Sequence, residues 1–416
     1  MINRSAAKKP QHCKLNYFPC INGELSIGGK KVSTLCAEIG QTPFYAYDRE
    51  LIQERITYLR SFLPQSISLH YAMKANPMPA LVDFMAHHVD GLDVASHGEM
   101  LTALNSGMQA SKISFAGPGK TDKELNAAIA AGVLINVESA NELQRIEVLG
   151  LKLAIVPKVA LRINPDFELK ASGMKMSGGA KPFGIDAEVV PELISSINPN
   201  TLDLVGFHIF SGSQNLKPEA IIDAHNKTFE LAFRLTQQAD INITHLNIGG
   251  GLGIPYFPGD QPLQLTAIKE NLNKLTSQAK ELMGNIDIII ELGRFLVGEA
   301  GIYVAEIIDI KMSRGEKFLV VNGGMHHHLA NSGNFGQVVR KNYPVLIANK
   351  CAQAQVTESV TIVGPLCTPL DILGSKMDLP KAEIGDLIVV LQSGAYGKSA
   401  SPENFLGHPG VVERLV

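Results

Sequence analysis

Several things are missing from this sequence, and each absence excludes a class of function. There is no run rich in Lys and Arg and the formal net charge is -3, so no basic field exists to hold a polyanion, and nucleic acid is not an expected partner. The five cysteines, Cys13, Cys20, Cys36, Cys351 and Cys367, are odd in number, widely scattered and without a Cys-x-x-Cys pair. They indicate neither a disulfide framework nor a structural zinc site. Met1 to Pro19 carries lysines and polar residues but no apolar core of a secretory signal, so a reducing, cytoplasmic setting is expected. The one long apolar stretch, residues 286–310, contains Glu291, Arg294, Glu299 and Glu306. At roughly 2.5–3.5 kcal/mol each, those groups would cost about 10 kcal/mol or more in a bilayer, against about 6 kcal/mol gained from the apolar neighbours. No membrane span is expected.

What is present is a chain of 416 residues, 45% hydrophobic and 19% charged, the balance of a globular protein long enough for two or three domains. Residues 1–40 are short apolar pieces broken by turn signals, with Asn22-Gly23 and Gly28-Gly29 suggesting hairpins. From Thr42 the grammar changes to short β-rich runs alternating with helical stretches such as Ala80 to His87 and Glu219 to Gln238. Eight such runs precede residue 292: Ile67–Met73, Gly91–Ala95, Ile113–Ala116, Val133–Val137, Lys158–Ile163, Leu204–Phe210, Ile243–Ile248 and Ile286–Ile290. That count predicts an α/β fold with a TIM-type (β/α)8 barrel over 41–298. Beyond residue 300 the runs Phe318–Val321, Val360–Val363 and Leu387–Leu391 predict a mostly antiparallel β domain over 299–416, joined by the N-terminal segment 1–40.

The stretch His70-Tyr71-Ala72-Met73-Lys74-Ala75-Asn76-Pro77 ends an apolar run with one lysine. At the carboxyl end of a barrel strand, a partly desolvated amine loses affinity for its proton and becomes a nucleophile towards aldehydes. A solvated lysine that merely ends a strand reads the same way. Asn247-Ile248-Gly249-Gly250-Gly251-Leu252-Gly253 follows the seventh run, and successive glycines let backbone N–H groups close on an anion such as phosphate. In Glu291-Leu292-Gly293-Arg294, an acid stands at the end of the eighth run with a guanidinium close behind. The two suit a protonated ring nitrogen and a phosphate oxygen, or a plain ion pair. His208, within Gly206-Phe207-His208-Ile209-Phe210-Ser211, is either a satisfied core residue or a ring on which a flat cofactor stacks. An amine, an acid, a phosphate cradle and a stacking imidazole together meet the needs of pyridoxal phosphate.

On these motifs the chain, from about Thr42 to its end, resembles the fold-type III pyridoxal-phosphate decarboxylases, the diaminopimelate and ornithine decarboxylase group, with alanine racemase as a distant relative. Within that group it looks closest to the exosortase-associated pyridoxal-dependent decarboxylases and is similar to the decarboxylase of glutamate tethered to an acyl carrier protein. The resemblance implies that Lys74 carries pyridoxal 5'-phosphate and that His208 stacks on its ring. It also implies that Gly249, Gly250, Gly251, Gly293, Arg294 and Ser211 bind the phosphate, and that Glu291 pairs with the ring nitrogen. Tyr396, in Ser393-Gly394-Ala395-Tyr396-Gly397, matches the family's late tyrosine at the phosphate. Cys367, in Gly364-Pro365-Leu366-Cys367-Thr368-Pro369-Leu370-Asp371, matches the cysteine donated across a homodimer, an acid able to return a proton to Cα, or else a small buried apolar residue. Arg162 and Asp93 resemble positions near the cofactor.

Two departures bear on substrate. Diaminopimelate decarboxylases place a glutamate directly after the cysteine and ornithine decarboxylases an aspartate at the same point, where this chain has Thr368. Losing such a charge-assisted contact costs roughly 1.5–3 kcal/mol, enough to change the preferred substrate. In place of the family's Arg-x-x-x-Tyr arm lies Gly323-Gly324-Met325-His326-His327-His328-Leu329. On a strand only His326 and His328 would face one way, and no third ligand is evident, so no metal is expected. The loop from Leu169 to Pro182 is longer than the family's and is expected to be mobile and to fold over the barrel mouth. The expected activity is decarboxylation of an amino acid or an amino-acyl carrier conjugate. A racemase on the same scaffold and a non-catalytic cofactor-binding protein are the rivals.

Overall fold

The computed structural model describes residues 10–15, 17–167, 174–175, 178–335, 337, 340–352 and 357–416. The chain divides into two units, one of Ile52–Gly253 with Leu263–Leu296, the other of Met1–Leu51, Ile254–Pro262 and Val297–Val416.

The first unit is a closed barrel of parallel strands: β1 Ile67–Ala72, β2 Gly91–Val94, β3 Ile113–Phe115, β4 Leu134–Val137, β5 Lys158–Asn164, β6 Asp203–His208, β7 His245–Asn247 and β8 Asp287–Leu292. Neighbours in sequence are neighbours in space, and the ring closes where Leu292 of β8 pairs with Tyr71 of β1. Helices α1 Pro79–Ala86, α2 His97–Asn105, α3 Asp122–Ala131, α4 Ala140–Leu153, α5 Val190–Ser195, α6 Pro218–Ala239 and α7 Thr266–Met283 follow strands one to seven. Short polar loops start several of them with a side-chain cap. Ser96 Oγ accepts the Glu99 N–H and Ser139 Oγ the Glu142 N–H, each at 3.1 Å, while Thr121 and Glu124 form a reciprocal box. Such caps fix where each loop at the carboxyl end of the barrel hands over to its helix, and those loops carry the site.

Of the loop after β5 expected to be mobile and to fold over the barrel mouth, Leu169–Gly173, Met176 and Ser177 lie outside the described residues. Met174–Lys175 pairs antiparallel with Gly212–Ser213, and Asn164 Oδ1 accepts the Gly178 N–H at 3.1 Å.

The second unit is built on the strand Gly301–Ser313, which pairs antiparallel with Phe44–Tyr47, Glu316–Val321 and Leu387–Val390. Thr357–Val363 lies parallel to Glu316–Val321, and Val412–Leu415 parallel to Phe44–Tyr47, so the sheet is mixed at two pairings. Phe44–Tyr47 falls in the span that alternation assigned to the barrel; its partner strand lies over 250 residues away, a pairing that local pattern cannot reveal. Both expected hairpins form: Asn22-Gly23 joins Cys20–Ile21 to Glu24–Ile27, and Gly28-Gly29 joins that strand to Lys30–Lys31. All four turn residues have positive φ, as the favoured two-residue turns demand. Val32–Ile39 is a helix that the pattern of short β-like pieces does not announce. It buries Val32 and Leu35, one turn apart, against Leu25, Ile27, Phe44 and Ile302.

Two sequence expectations fail here. Cys20 and Cys351 form a disulfide across a sequence separation of 331, contrary to the absence of any indicated framework. The reason is tertiary: Ala348 packs in the same core as Leu25 and Ile27, which brings the two cysteines' segments together. The three histidines are not on a strand; residues 325–327 form a turn, so the alternation argument about which rings share a side does not apply. Residues 286–310 fold into β8, a short helix Arg294–Val297 and the start of the strand Gly301–Ser313, and no helix among the described residues is long and apolar enough to cross a membrane.

Candidate active site

Every barrel strand places a polar residue on the inward side near its carboxyl half: His70, Asp93, Ser114, Asn136, Arg162, His208, Asn247 and Glu291, on β1 to β8 in turn, joined in two hydrogen-bonded sets. Around the ring, His70 Nδ1 lies 3.2 Å from Asp93 Oδ1, Ser114 donates to the same oxygen, and Asn136 donates to Ser114 Oγ at 3.3 Å. Asn247 donates to Glu291 Oε2 at 3.2 Å, and His208 Nε2 stands 3.1 Å from that oxygen. Because strand neighbours face opposite ways, this alternation buries polar atoms inside the barrel while the residues between them pack outward against the helices.

Glu291 is 7% exposed. Burial alone would raise its pKa, but His208 beside it, with Lys74 and Arg162 beyond, outweighs that and holds the carboxyl well below the usual carboxylate range. Glu138, at the end of β4, follows the same logic. Burial opposes its charge, yet the Arg162 guanidinium at 2.6 Å and the Gly184 N–H at 2.8 Å keep it ionised. Gly117 N–H donates at 2.7 Å to Oε1, the oxygen that the guanidinium also holds, while Gly184 takes Oε2, so Glu138 ties the loops of Gly117 and Gly184 to Arg162. Arg162 in turn lies 5.1 Å from the Phe183 ring centroid. For His70, burial disfavours the charged form but Asp93 prevails, and its pKa is raised.

Lys74 sits in a 3-10 turn, Met73–Ala75, directly after β1. Its side chain is exposed, not desolvated as the sequence suggested, and its ammonium stands 5.1 Å from the Phe210 ring centroid. The glycine turn after β7 lies against the same strand ends. A Cβ on Gly250 would stand 1.9 Å from the Glu291 carbonyl oxygen, and one on Gly251, at φ +92, 2.4 Å from that of Gly212. Close backbone approach therefore accounts for these glycines without any ligand. The ligand-facing signal is different: Gly249 N–H is taken by Asn247 Oδ1 at 2.8 Å, whereas the N–H groups of Gly250 and Gly251 donate to nothing among the described residues. Ser211, buried, lines the same small cavity. Gly293 packs against the Lys74 turn, where an added Cβ would meet Ala75 Cβ at 2.7 Å, and Arg294 follows it.

Thus Lys74, His208, Ser211, Gly249, Gly250, Gly251, Glu291, Gly293 and Arg294 all belong to the carboxyl end of one barrel, and Arg162 and Asp93 to its lumen. Cys367 and Tyr396 belong to the second unit. Cys367 is exposed on a tight loop whose shape is set by Asp371, which accepts the Leu366 N–H at 2.9 Å and the Met325 N–H at 2.6 Å. Tyr396 is half-buried at φ +54, an uncommon backbone for an aromatic residue. The three histidines part ways: His328 bonds Ser393 Oγ at 2.9 Å and His327 the Pro409 carbonyl at 2.8 Å, while His326 packs 3.7 Å from the His327 ring. Sequence reasoning missed Asn247 as the residue orienting both Glu291 and Gly249. Its signal was there, a polar side chain two residues before the glycines at an inward position.

A family described as pyridoxal-dependent decarboxylase, pyridoxal binding domain, matches residues 49–298. The L-glutamyl-[BtrI acyl-carrier protein] decarboxylase of Niallia circulans is 37% identical over 380 residues, covering 90% of this chain and 89% of that one. The diaminopimelate decarboxylase of Aquifex aeolicus is 32% identical over 409 residues, covering 96% and 92%. The crystal structure of diaminopimelate decarboxylase from M. jannaschii in complex with L-lysine superposes with a TM-score of 0.86 at 27% identity, covering 97% of this chain and 93% of that one. With a buried ionised carboxylate, an imidazole, an amine and open backbone donors at one barrel mouth, this chain belongs to the pyridoxal-dependent decarboxylase family and is a pyridoxal-phosphate-dependent amino acid decarboxylase of the diaminopimelate decarboxylase-like group.

Proposed function

We propose that the carboxyl end of the barrel holds pyridoxal phosphate through Lys74 at the aldehyde, Glu291 at the ring nitrogen, His208 against the ring, and Gly250, Gly251, Ser211, Gly293 and Arg294 at the phosphate. The observation that carries this reading is Glu291, buried yet ionised, whose charge is supported by both His208 and Lys74. When bound, pyridoxal phosphate supplies an electron sink for the charge left on Cα as CO2 departs. Glu291 keeps a proton on the ring nitrogen, and Asn247 and His208 keep Glu291 aimed at it. Lys74, at the carboxyl end of β1, would hold the aldehyde and, with its amine free, would move protons at Cα.

Cys367, donated by a second copy of the chain, returns the proton to Cα. Its exposure, with exposed Leu370 on the same loop, suits a residue that acts across a homodimer. Mixing Lys74→Ala with Cys367→Ala subunits restores partial activity if the site is shared; no recovery contradicts it.

The substrate we propose is an amino acid whose far end carries no free ammonium, a carrier-linked glutamyl group being the example set by the Niallia circulans relative. The Cys367 loop has a single carboxylate, Asp371, and it is 2% exposed and committed to two backbone N–H groups, so it is not available to a distal ammonium. Measuring CO2 release from diaminopimelate, ornithine, lysine, arginine and carrier-linked glutamate tests this. Turnover of the carrier-linked substrate alone supports it, and preference for a diamino acid sinks it. Inversion at Cα without CO2 would instead mark a racemase.

The proposed setting is the cytoplasm, where Cys20 and Cys351 would be held as thiols. Protein alkylated at the moment of cell lysis then shows all its cysteines reactive once unfolded; protection of that pair contradicts a reducing compartment.

A further inference from the structure

Helix α6 turns a stripe of Ile221, Ala224, Thr228 and Leu235 towards the barrel, and His225 lies within it, 3% exposed. Neither ring nitrogen of His225 has a hydrogen-bond partner among the described residues. Burial pushes its pKa down to about 4, so the ring is neutral and carries one N–H donor. A buried polar group left unpaired is rare enough to need a reason, since it forfeits roughly 1–3 kcal/mol. Here the surroundings supply one: His225 lines the same small cavity as Ser211, Asn215, Gly250 and Gly251. Two of those, Gly250 and Gly251, have backbone donors without acceptors, as His225 has a donor without one. Asn215 braces this wall of the cavity, donating its N–H to the Gly251 carbonyl at 2.9 Å. Unpaired donors converging on one enclosed space call for an acceptor with several oxygens, and a phosphate group is such an acceptor.

We infer that His225 is a phosphate-binding residue, donating from α6 to the cofactor's phosphate at the inner end of the glycine turn. The inference rests on the phosphate being held at Gly249–Gly251. His328, by contrast, is already bonded to Ser393, and His326 is packed against the rings of His327 and His408.

The test is a binding comparison on the cofactor-stripped enzyme reloaded with either pyridoxal phosphate or pyridoxal, which lacks the phosphate. His225→Leu should weaken pyridoxal phosphate about tenfold or more while leaving pyridoxal affinity unchanged, and His225→Gln, which keeps a donor, should recover part of the loss. The phosphorus-31 resonance of the bound cofactor should shift in His225→Leu. Ser211→Ala, at the wall of the same cavity, serves as the separate check of the cradle. If it leaves the ratio of the two affinities intact, the phosphate is elsewhere and the cradle itself fails; if it changes the ratio and neither His225 variant does, the cradle stands and the role of His225 is overturned. An unchanged phosphorus resonance with a raised melting temperature in His225→Leu would likewise assign His225 to packing alone. Should His225→Leu not fold, the ratio measured on His225→Gln decides, a ratio equal to that of the unaltered enzyme rejecting the inference.

Discussion

Both units bury polar side chains, and the carboxylates at the barrel mouth and the central histidine of the β unit settle the cost in opposite ways. In the barrel, Glu291 and Glu138 keep their charges because His208 and Arg162 stand against them at 3.1 and 2.6 Å. In the β unit, His328 is equally buried but meets no charge, only Ser393 Oγ, the Asn331 N–H and aromatic rings, and burial pushes it down to about 3. Tyr45 and Tyr303 there are raised well above the usual phenol range, by burial first and by neighbouring tyrosines or Asp371 second. Charge is retained where an opposite charge stands against the buried group and suppressed where none does, at His225 of the barrel as at His328. That contrast separates the two triple motifs that drew notice in the sequence: the glycines border an ionised site, whereas the histidines are mostly structural.

The contrast can be broken most severely at Lys74. Lys74→Ala should lower kcat by about a thousandfold or more and abolish the cofactor's visible absorbance, read by CO2 release and spectroscopy. An unchanged spectrum would remove Lys74 from its role. Next, Arg162→Ala strips Glu138 of its counter-charge inside the barrel and should cost roughly 3–5 kcal/mol in urea unfolding, because a buried charge is left unpaired. A loss under 1 kcal/mol would mean that the Gly117 and Gly184 N–H groups suffice.

The pH dependence sharpens the comparison further. The folded chain refuses protons at His328 and His225 that the unfolded chain accepts below the ordinary imidazole value of 6.5, so stability falls as pH drops from there towards 4. Each contributes about 3 kcal/mol at most over that window. Glu138 and Glu291, with depressed values, add their loss only below about 4.5. Unfolding of His328→Gln measured from pH 7 to 4 should show a shallower slope than the unaltered chain; identical slopes would place the proton uptake elsewhere. Smallest, Cys20→Ser in oxidised protein should lower stability by roughly 2 kcal/mol through the freed N-terminal hairpins, seen by thermal unfolding, with barrel absorbance unaffected.

How much of this was legible depended on the range of the interactions. Barrel strands announce themselves because each is a buried apolar run bounded by turn residues, and the observed spans differ from the expected ones by one or two residues at most ends, as β1 ending at Ala72 and not Met73 illustrates. That Lys74, His208, the glycines and Glu291 would lie at one end of the barrel was legible because in this fold the end of every strand points to one mouth. Pairings that span the chain were not: Phe44–Tyr47 against Gly301–Val304, and Cys20 with Cys351, depend on contacts that no local period encodes. Nor was His225, since a histidine within an amphipathic helix looks the same whether it faces an apolar core or an anion. Its distinction is an unpaired ring beside a cavity, and that exists only in three dimensions.

The account stands on the barrel mouth being a single cofactor site. Reducing the holoenzyme with borohydride, digesting it and locating the pyridoxyl group by mass spectrometry tests this directly. The predicted result is one tagged peptide, modified at Lys74. A tag on any other lysine, or none on an enzyme that still releases CO2, would contradict it.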